Sequence, residues 1–303
     1  MELIIAFAII LSCYSVFAFI VAYKVLRTER LGYEDIWEFD KALNNLPDEI
    51  RDIPYESHYL VNEGGLKLHA RLFYADIKTD KFVFLNHGNT CVYTGMLKYV
   101  DMLKGFGLNV FAPDHRGRGE SDGKYNSFGY YEYKDCLLWL EYLRKIRPDA
   151  QIAVMGESMG GAVSLLMAQN RDDIELVISD CAFHNAYCSV RDVLVSKLGK
   201  AGVIFMPMVN LLMKLVNKVN LIDVDAAAAI KNIGVPVLLI HGEKDTKVKV
   251  ESAYLLHEKN PDNEIEIFED AEHANCIGSD PGKYYNLIKS FLIHKGFIED
   301  ETD

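Results

Sequence analysis

Residues 156–160 read Gly-Glu-Ser-Met-Gly, set between a short apolar run at 150–155 and a helical pattern at 159–170. A serine hydroxyl is a poor nucleophile until a base takes its proton, so its placement decides whether it can react. In a sharp strand-to-helix turn the serine sits in strained backbone. Glycines two positions either side are then required, because side chains there would collide with strand and helix. Such a turn lifts the Ser158 hydroxyl above the carboxyl edge of a sheet, and the following helix N-terminus favours developing negative charge. The chemistry this suits is nucleophilic attack on an acyl carbon. A glycine-rich turn of this kind also occurs without chemistry, so the strand–turn–helix context carries the argument.

An acid and a base follow in the order such a nucleophile needs. The run at 235–240 leads into His241-Gly242-Glu243-Lys244-Asp245, and the run at 264–268 leads into Asp270-Ala271-Glu272-His273. Asp245 and His273 therefore belong to strand ends on the same sheet edge as Ser158. His273 reads as the general base, and Asp245 as the carboxylate that fixes its tautomer and stabilises the imidazolium. Asp180, at the end of the run 175–179, is the competing acid. The tetrahedral oxyanion needs backbone donors. One is the N–H of Met159. The other is the N–H of Asn89, in the His87-Gly88-Asn89-Thr90 loop after the run 81–86, where His87 reads as structural. Residues 114–121, Asp-His-Arg-Gly-Arg-Gly-Glu-Ser, lack the helix-opening context of a dinucleotide fingerprint and read as a packed, charged turn. No His-Glu-x-x-His and no clustered Cys/His pattern appears, so neither a metal nor a cofactor is expected.

These residues need a frame that aligns strand ends. Runs at 57–61 and 66–74 flank a Glu-Gly-Gly turn and read as a β-hairpin. From residue 81, runs at 81–86, 108–112, 150–155, 175–179, 235–240 and 264–268 alternate with helical patterns at 94–104, 130–146, 159–170, 248–258 and 281–293. That alternation predicts a mostly parallel sheet with helices on both faces. Residues 184–232 break the rhythm with helical, strongly apolar, methionine-containing sequence. This segment is expected to be either a lid that meets acyl chains or an extra pair of packing helices.

The chain begins differently. Residues 3–23 carry no charge and are rich in Leu, Ile, Phe, Ala and Val, long enough to cross a hydrocarbon core. Glu2 leaves no basic n-region and no cleavage pattern follows, which disfavours a removed signal peptide. Lys24, Arg27 and Arg30 lie on the C-terminal side, so the rest of the chain is expected in the cytoplasm. Residues 33–46 read as an amphipathic linker helix stopped before Pro47. The net charge of −12 argues against nucleic acid as a partner. The six cysteines show no pairing pattern and read as free, buried or half-buried thiols, in keeping with a reducing compartment.

Taken together and in order, Asn-His-Gly-Asn (86–89), residues 114–121, Gly-Glu-Ser-Met-Gly-Gly (156–161), His-Gly-Glu-Lys-Asp (241–245) and Glu-His (272–273) resemble the α/β-hydrolase superfamily. The resemblance is to its serine aminopeptidase S33-like or lysophospholipase-like branch, and it runs from about 55 to 295. It implies an eight-stranded sheet and cofactor-free hydrolysis of esters, amides or thioesters, and says nothing about the N-terminal segment. The expected organisation is an anchor and basic flank (1–30), a linker helix (31–54), a catalytic domain (55–298) containing the 184–232 lid, and an acidic tail (299–303). The preferred reading is hydrolysis of carboxylic esters with hydrophobic or lipid-like acyl groups. Peptidase, amidase or thioesterase activity is the alternative within the fold, and a non-catalytic binding protein is the alternative outside it.

Overall fold

A computed structural model describes residues 1–28 and 32–300. Arg30 and residues 301–303 of the expected acidic tail lie outside the described residues, and Glu299 and Asp300 have no regular structure. Two helices come first, α1 (Glu2–Leu26) and α2 (Tyr33–Asn44). Strands β1 (Glu56–Val61), β2 (Lys67–Phe73) and β3 (Lys81–Asn86) follow, then α3 (Leu97–Gly105), β4 (Asn109–Pro113), α4 (Tyr130–Ile146) and β5 (Gln151–Glu157). Next are α5 (Met159–Ala168), β6 (Val177–Asp180), α6 (Ala186–Leu198), α7 (Met206–Asn217) and α8 (Ala226–Ala229). The chain closes with β7 (Val237–Gly242), α9 (Glu251–Lys259), β8 (Glu264–Phe268), α10 (Cys276–Ser279) and α11 (Pro281–His294).

The strands form one eight-stranded sheet in the order β1-β2-β4-β3-β5-β6-β7-β8. β2 runs antiparallel to both β1 and β4, and the remaining neighbours are parallel. This is the α/β-hydrolase fold. Parallel strands buried on both faces explain why the central runs are continuously apolar. Alternation sorts their side chains to two cores. Phe82, Phe84, Ile152 and Val154 join one core with Trp139, Leu140 and Leu143 of α4 and Val163 and Leu165 of α5. Val83, Leu85, Ala153 and Met155 join the other with Leu97, Val100 and Leu103 of α3 and Ile288, Phe291 and Leu292 of α11.

Element ends differ from the sequence pattern by one to three residues, for local reasons. Asn45 takes a left-handed conformation (φ 51°), which ends α2 before Pro47. The pattern at 94–104 opens as a 3₁₀ turn, Tyr93–Met96, before α3 begins. Asp280 accepts a hydrogen bond from the Lys283 N–H at 2.9 Å and Pro281 occupies the first turn, so α11 starts where a cap and a preset φ coincide.

The 184–232 segment leaves and rejoins the body at one neck. Asn185 and Asp225 form an antiparallel bridge, the Ala186 N–H donates to the Val224 carbonyl at 2.9 Å, and the Ala227 N–H donates to the His184 carbonyl at 3.0 Å. Asn185 also caps α6 and Asp225 caps α8. Helix α1, 25 residues long, is long and apolar enough to cross a membrane. Only Ala18, Ala22 and Leu26 of it are buried. The six cysteines are free, and Cys13 on α1 is exposed, unlike the buried or half-buried state expected of the set.

Phe84 is fully buried, with its ring centroid 5.5 Å from that of Phe111. Phe84→Ala should lower unfolding free energy by about 3–5 kcal/mol, read as a drop in urea midpoint at unchanged slope. A loss under about 1 kcal/mol would mean this side of the sheet is not a close-packed core.

Candidate active site

β5 ends at Glu157 and α5 begins at Met159, so Ser158 alone makes the turn, with φ 58° and ψ −118°. The glycines around it are dictated by contact. A Cβ on Gly156 would meet the Gly160 carbonyl oxygen at 2.2 Å, and one on Gly160 would meet the Asn86 carbonyl oxygen at 2.1 Å. Both obstacles are backbone and cannot swing aside. The strain at Ser158 is held by this packing and by its own N–H, which donates to the Asp180 carbonyl at 2.8 Å.

Three side chains converge here from distant parts of the chain. His273, in the loop after β8, places Nε2 2.9 Å from the Ser158 hydroxyl oxygen and Nδ1 2.6 Å from Oδ2 of Asp245. The other carboxylate oxygen of Asp245 accepts the N–H groups of Lys247 and Val248, both at 2.8 Å. Burial alone would raise the Asp245 pKa. Hydrogen bonds from His241, His273 and the Val248 N–H outweigh it and hold the carboxyl well below the usual carboxylate range. Asp180 does not meet His273. It is fully buried on β6, where its Oδ2 accepts the hydroxyls of Tyr99 at 3.1 Å and Tyr284 at 2.8 Å, and burial raises its pKa. The sulfur of Cys181, a carboxylate oxygen of Asp245 and a ring nitrogen of His273 lie within 4.8 Å of one another. Burial pushes the Cys181 thiol well up, and the other two groups are hydrogen-bonded to each other, so the trio is poorly suited to serve as a ligand set.

The loop after β3 lies against Ser158: a Cβ on Gly88 would be 3.5 Å from the Ser158 Cβ. His87 fixes that loop. Its Nδ1–H donates to the Gly88 carbonyl at 2.7 Å and its Nε2 accepts the His115 N–H at 2.9 Å, a neutral ring in a structural role. Burial, with His115 beside it, pulls its pKa down to about 3. Asn89 follows, and its side-chain oxygen accepts from Arg118 at 3.2 Å and from Asn126. Met159, the first residue of α5, is buried with its backbone at the helix N-terminus. The 114–121 turn is packed and charged. Asp114 accepts from Arg71 at 2.8 Å and lies 3.0 Å from His69 Nδ1, and Arg71 also lies under the rings of Tyr33, Tyr55 and Tyr93.

One part of the site has no signal in the sequence pattern. Lys98 is fully buried, with Nζ 2.9 Å from Asp40 of α2 and 2.8 Å from Glu157, the residue before Ser158. It also donates to the carbonyl of Ala274, next to His273, at 3.3 Å. Asn275 donates to the Leu43 carbonyl of α2 at 2.7 Å. A lysine in an amphipathic helix ordinarily reads as solvated; only a buried carboxylate pair could have pointed to it.

Comparisons with known proteins identify the family and the fold. The sequence model of the serine aminopeptidase S33 family matches residues 77–224. YqkD of Bacillus subtilis, itself uncharacterised, is 30% identical over 218 residues, covering 71% of this chain and 72% of its own. Monoglyceride lipase of Rattus norvegicus is 26% identical over 262 residues, covering 74% and 86%. A solved esterase from Pyrococcus furiosus superposes with a TM-score of 0.69 at 24% identity, covering 89% of this chain and 98% of its own, and shares the fold.

Burial pushes the Asp40 carboxyl up to about 6, against the attraction of Lys98 and with the repulsion of Glu157. A carboxyl that holds its proton more tightly folded than unfolded favours the fold at low pH. That contribution is lost as pH rises through the folded value. The difference in urea midpoint between the parent and Asp40→Asn should therefore move against the parent as pH rises from about 4 to about 6. Parallel curves would contradict this.

Proposed function

Because the chain belongs to the α/β-hydrolase superfamily, in its serine aminopeptidase S33-like and lysophospholipase-like branch, we propose that it cleaves carboxylic esters of hydrophobic or lipid-like acyl groups through an acyl-enzyme on Ser158. The observation that carries this reading is the unbroken run of polar contacts from the Ser158 hydroxyl through both nitrogens of His273 to Asp245.

In this mechanism His273 Nε2 takes the hydroxyl proton as the Ser158 oxygen attacks the ester carbonyl. The carbonyl electrons move onto oxygen, and the N–H groups of Met159 and Asn89 receive the oxyanion. Collapse of the adduct breaks the bond to the alcohol, which leaves with the proton from the imidazolium. Water then repeats the sequence: His273 takes its proton, the hydroxide adds to the acyl carbon, and Ser158 departs reprotonated with the acid released. Asp245 stays ionised throughout. Its negative charge favours the imidazolium and holds Nδ1 protonated, so that Nε2 faces the serine.

The ester assignment takes support from the relatives, among them a monoglyceride lipase. The lipid-like acyl group takes support from the apolar surface of the 184–232 segment, read as a lid, and from α1, read as a membrane helix. Lys24 and Arg27 at the C-terminal end of α1 favour a cytoplasmic position for the catalytic domain.

A fluorophosphonate probe should label the full chain, and Ser158→Ala should abolish the label. Retained labelling would sink the serine mechanism. Asp245→Asn should label far more slowly, with ester turnover down by about 10⁴-fold, because the carboxylate no longer orients the imidazole. A panel of p-nitrophenyl esters should rise in kcat/KM from acetyl to medium-chain acyl groups. A strict acetyl preference would leave the esterase and remove the lipid-like substrate.

A further inference from the structure

Helix α1 does not project freely from the body. Its second half lies along the 184–232 insertion. The Tyr14 ring stacks on Phe205 at 6.2 Å between centroids, and Phe17 meets the same ring edge-on at 5.3 Å. The Tyr14 hydroxyl donates to the Ile204 carbonyl at 2.6 Å. The end of α1 is pinned as well, since Asn126 N–H donates to the Leu26 carbonyl at 2.8 Å and Thr28 N–H to the Lys124 carbonyl at 3.1 Å. The helix and the insertion are thus held in one register.

That register limits what a bilayer can cover. Residues 2–13 are exposed throughout. At about 1.5 Å per residue they rise about 18 Å, well short of a hydrocarbon core of about 30 Å. Filling the core takes about twenty residues, which reaches Val21 and passes Tyr14, Phe17 and Ala18. Whatever packs against those residues must then share the hydrocarbon, and what packs there is the insertion at Ile204 and Phe205.

The outer surface of the insertion has the composition this demands. α7 turns Met206, Val209 and Met213 inward. Its opposite face leaves Leu211 and Leu215 49% and 61% exposed, and Val203, Ile204 and Ile222 beside it are exposed as well. Lys197, Lys200, Lys214 and Lys218 are exposed in the same segment, and no Asp or Glu occurs between Asp192 and Asp223, in a chain of net charge −12. An apolar face accompanied by lysines, whose stems can lie along acyl chains while the ammonium groups reach phosphate, is suited to an anionic lipid surface.

We propose that the outer face of residues 203–222 is a membrane-contact surface that enters the leaflet nearest the catalytic domain alongside α1, with an anionic phospholipid bilayer as its partner. The protein is then held by two elements: a spanning helix and an apolar insertion packed against it. The proposal rests on the reading of α1 as a membrane helix, and the test separates the two.

Full-length protein is reconstituted into phosphatidylcholine vesicles with and without phosphatidylglycerol, and tryptophan emission is read against brominated lipid. Trp37 and Trp139 are both buried at 1% exposure and give a constant background. The reporters are Ile9→Trp on α1, Leu211→Trp and Leu215→Trp on the insertion, and Tyr285→Trp on α11 as the solvent control. The expected result is roughly twofold or greater quenching at 9, 211 and 215 and none at 285. Charge reversal of Lys214 and Lys218 should reduce quenching at 211 to the level seen in phosphatidylcholine alone. Quenching at 9 with none at 211 and 215 overturns this proposal and leaves the membrane helix intact. No quenching at 9 overturns the membrane helix, and the proposal with it. A blue shift at 211 that appears without lipid and grows with protein concentration assigns the face to a second copy of the chain and overturns the lipid assignment.

Discussion

The N-terminus of α5 lies so close to the end of β3 that a methyl group on Gly160 would sit 2.1 Å from the Asn86 carbonyl oxygen. Much of the site follows from that approach. With the helix pressed against the strand, the chain between β5 and α5 has room for a single residue, and Ser158 must take a positive φ to make the turn. The same approach brings the His87-Gly88 loop against the Ser158 Cβ, because that loop is the direct continuation of β3. One steric fact therefore positions the hydroxyl and the loop carrying Asn89 together. A larger residue at position 160 would move both.

Electrostatics secures what packing arranges. A lysine ammonium removed from water loses several kcal/mol of hydration, and only close, well-placed partners offset this. Lys98 has two carboxylates and a carbonyl, each from a different element: Asp40 from α2, Glu157 from the end of β5, and Ala274 beside His273. Its charge is therefore kept by holding three parts of the site at fixed separation. Such a triad is weak as a net source of stability, yet costly to break at one partner, because the remainder are left buried and unpaired. It behaves as a constraint on geometry more than as a store of energy. Through Asp40, helix α2 becomes part of the support of the turn at Ser158.

The strand–helix alternation and the sheet were legible because buried parallel strands leave an unmistakable apolar pattern. The meeting of Ser158, Asp245 and His273 was legible because residues just past the ends of parallel strands share one edge, whatever their separation in sequence. Lys98 was not, since its burial depends on Asp40, 58 positions away in a segment that reads as a linker. Arg71 was hidden for a similar reason. On a half-buried strand an arginine reads as facing water, and only tertiary packing brings Tyr33, Tyr55, Tyr93 and Asp114 around it. The composition of the 184–232 segment was visible, but its closed neck at Asn185 and Asp225 depends on a backbone bridge that any residue types could make.

Asn126 shows how tightly the parts of this molecule are joined, since it spends each of its polar groups on a different one. Its N–H donates to Leu26 at the end of α1, and its carbonyl accepts from Asn217 at the end of α7 at 2.9 Å. Its side-chain amide donates to Asn89 in the loop beside Ser158, and its side-chain oxygen accepts the Phe128 N–H at 2.7 Å, which shapes the approach to α4. A buried asparagine loses no hydrogen bond without cost, so a shift of the N-terminal helix or of the insertion has to be absorbed by the loop carrying Asn89 or by a broken hydrogen bond. The apolar outer elements and this edge of the sheet are thereby joined through residue 126. Helix α1 is therefore fixed to the body at its C-terminal end by the backbone hydrogen bonds at Leu26 and Thr28, and its direction relative to the sheet edge follows from them.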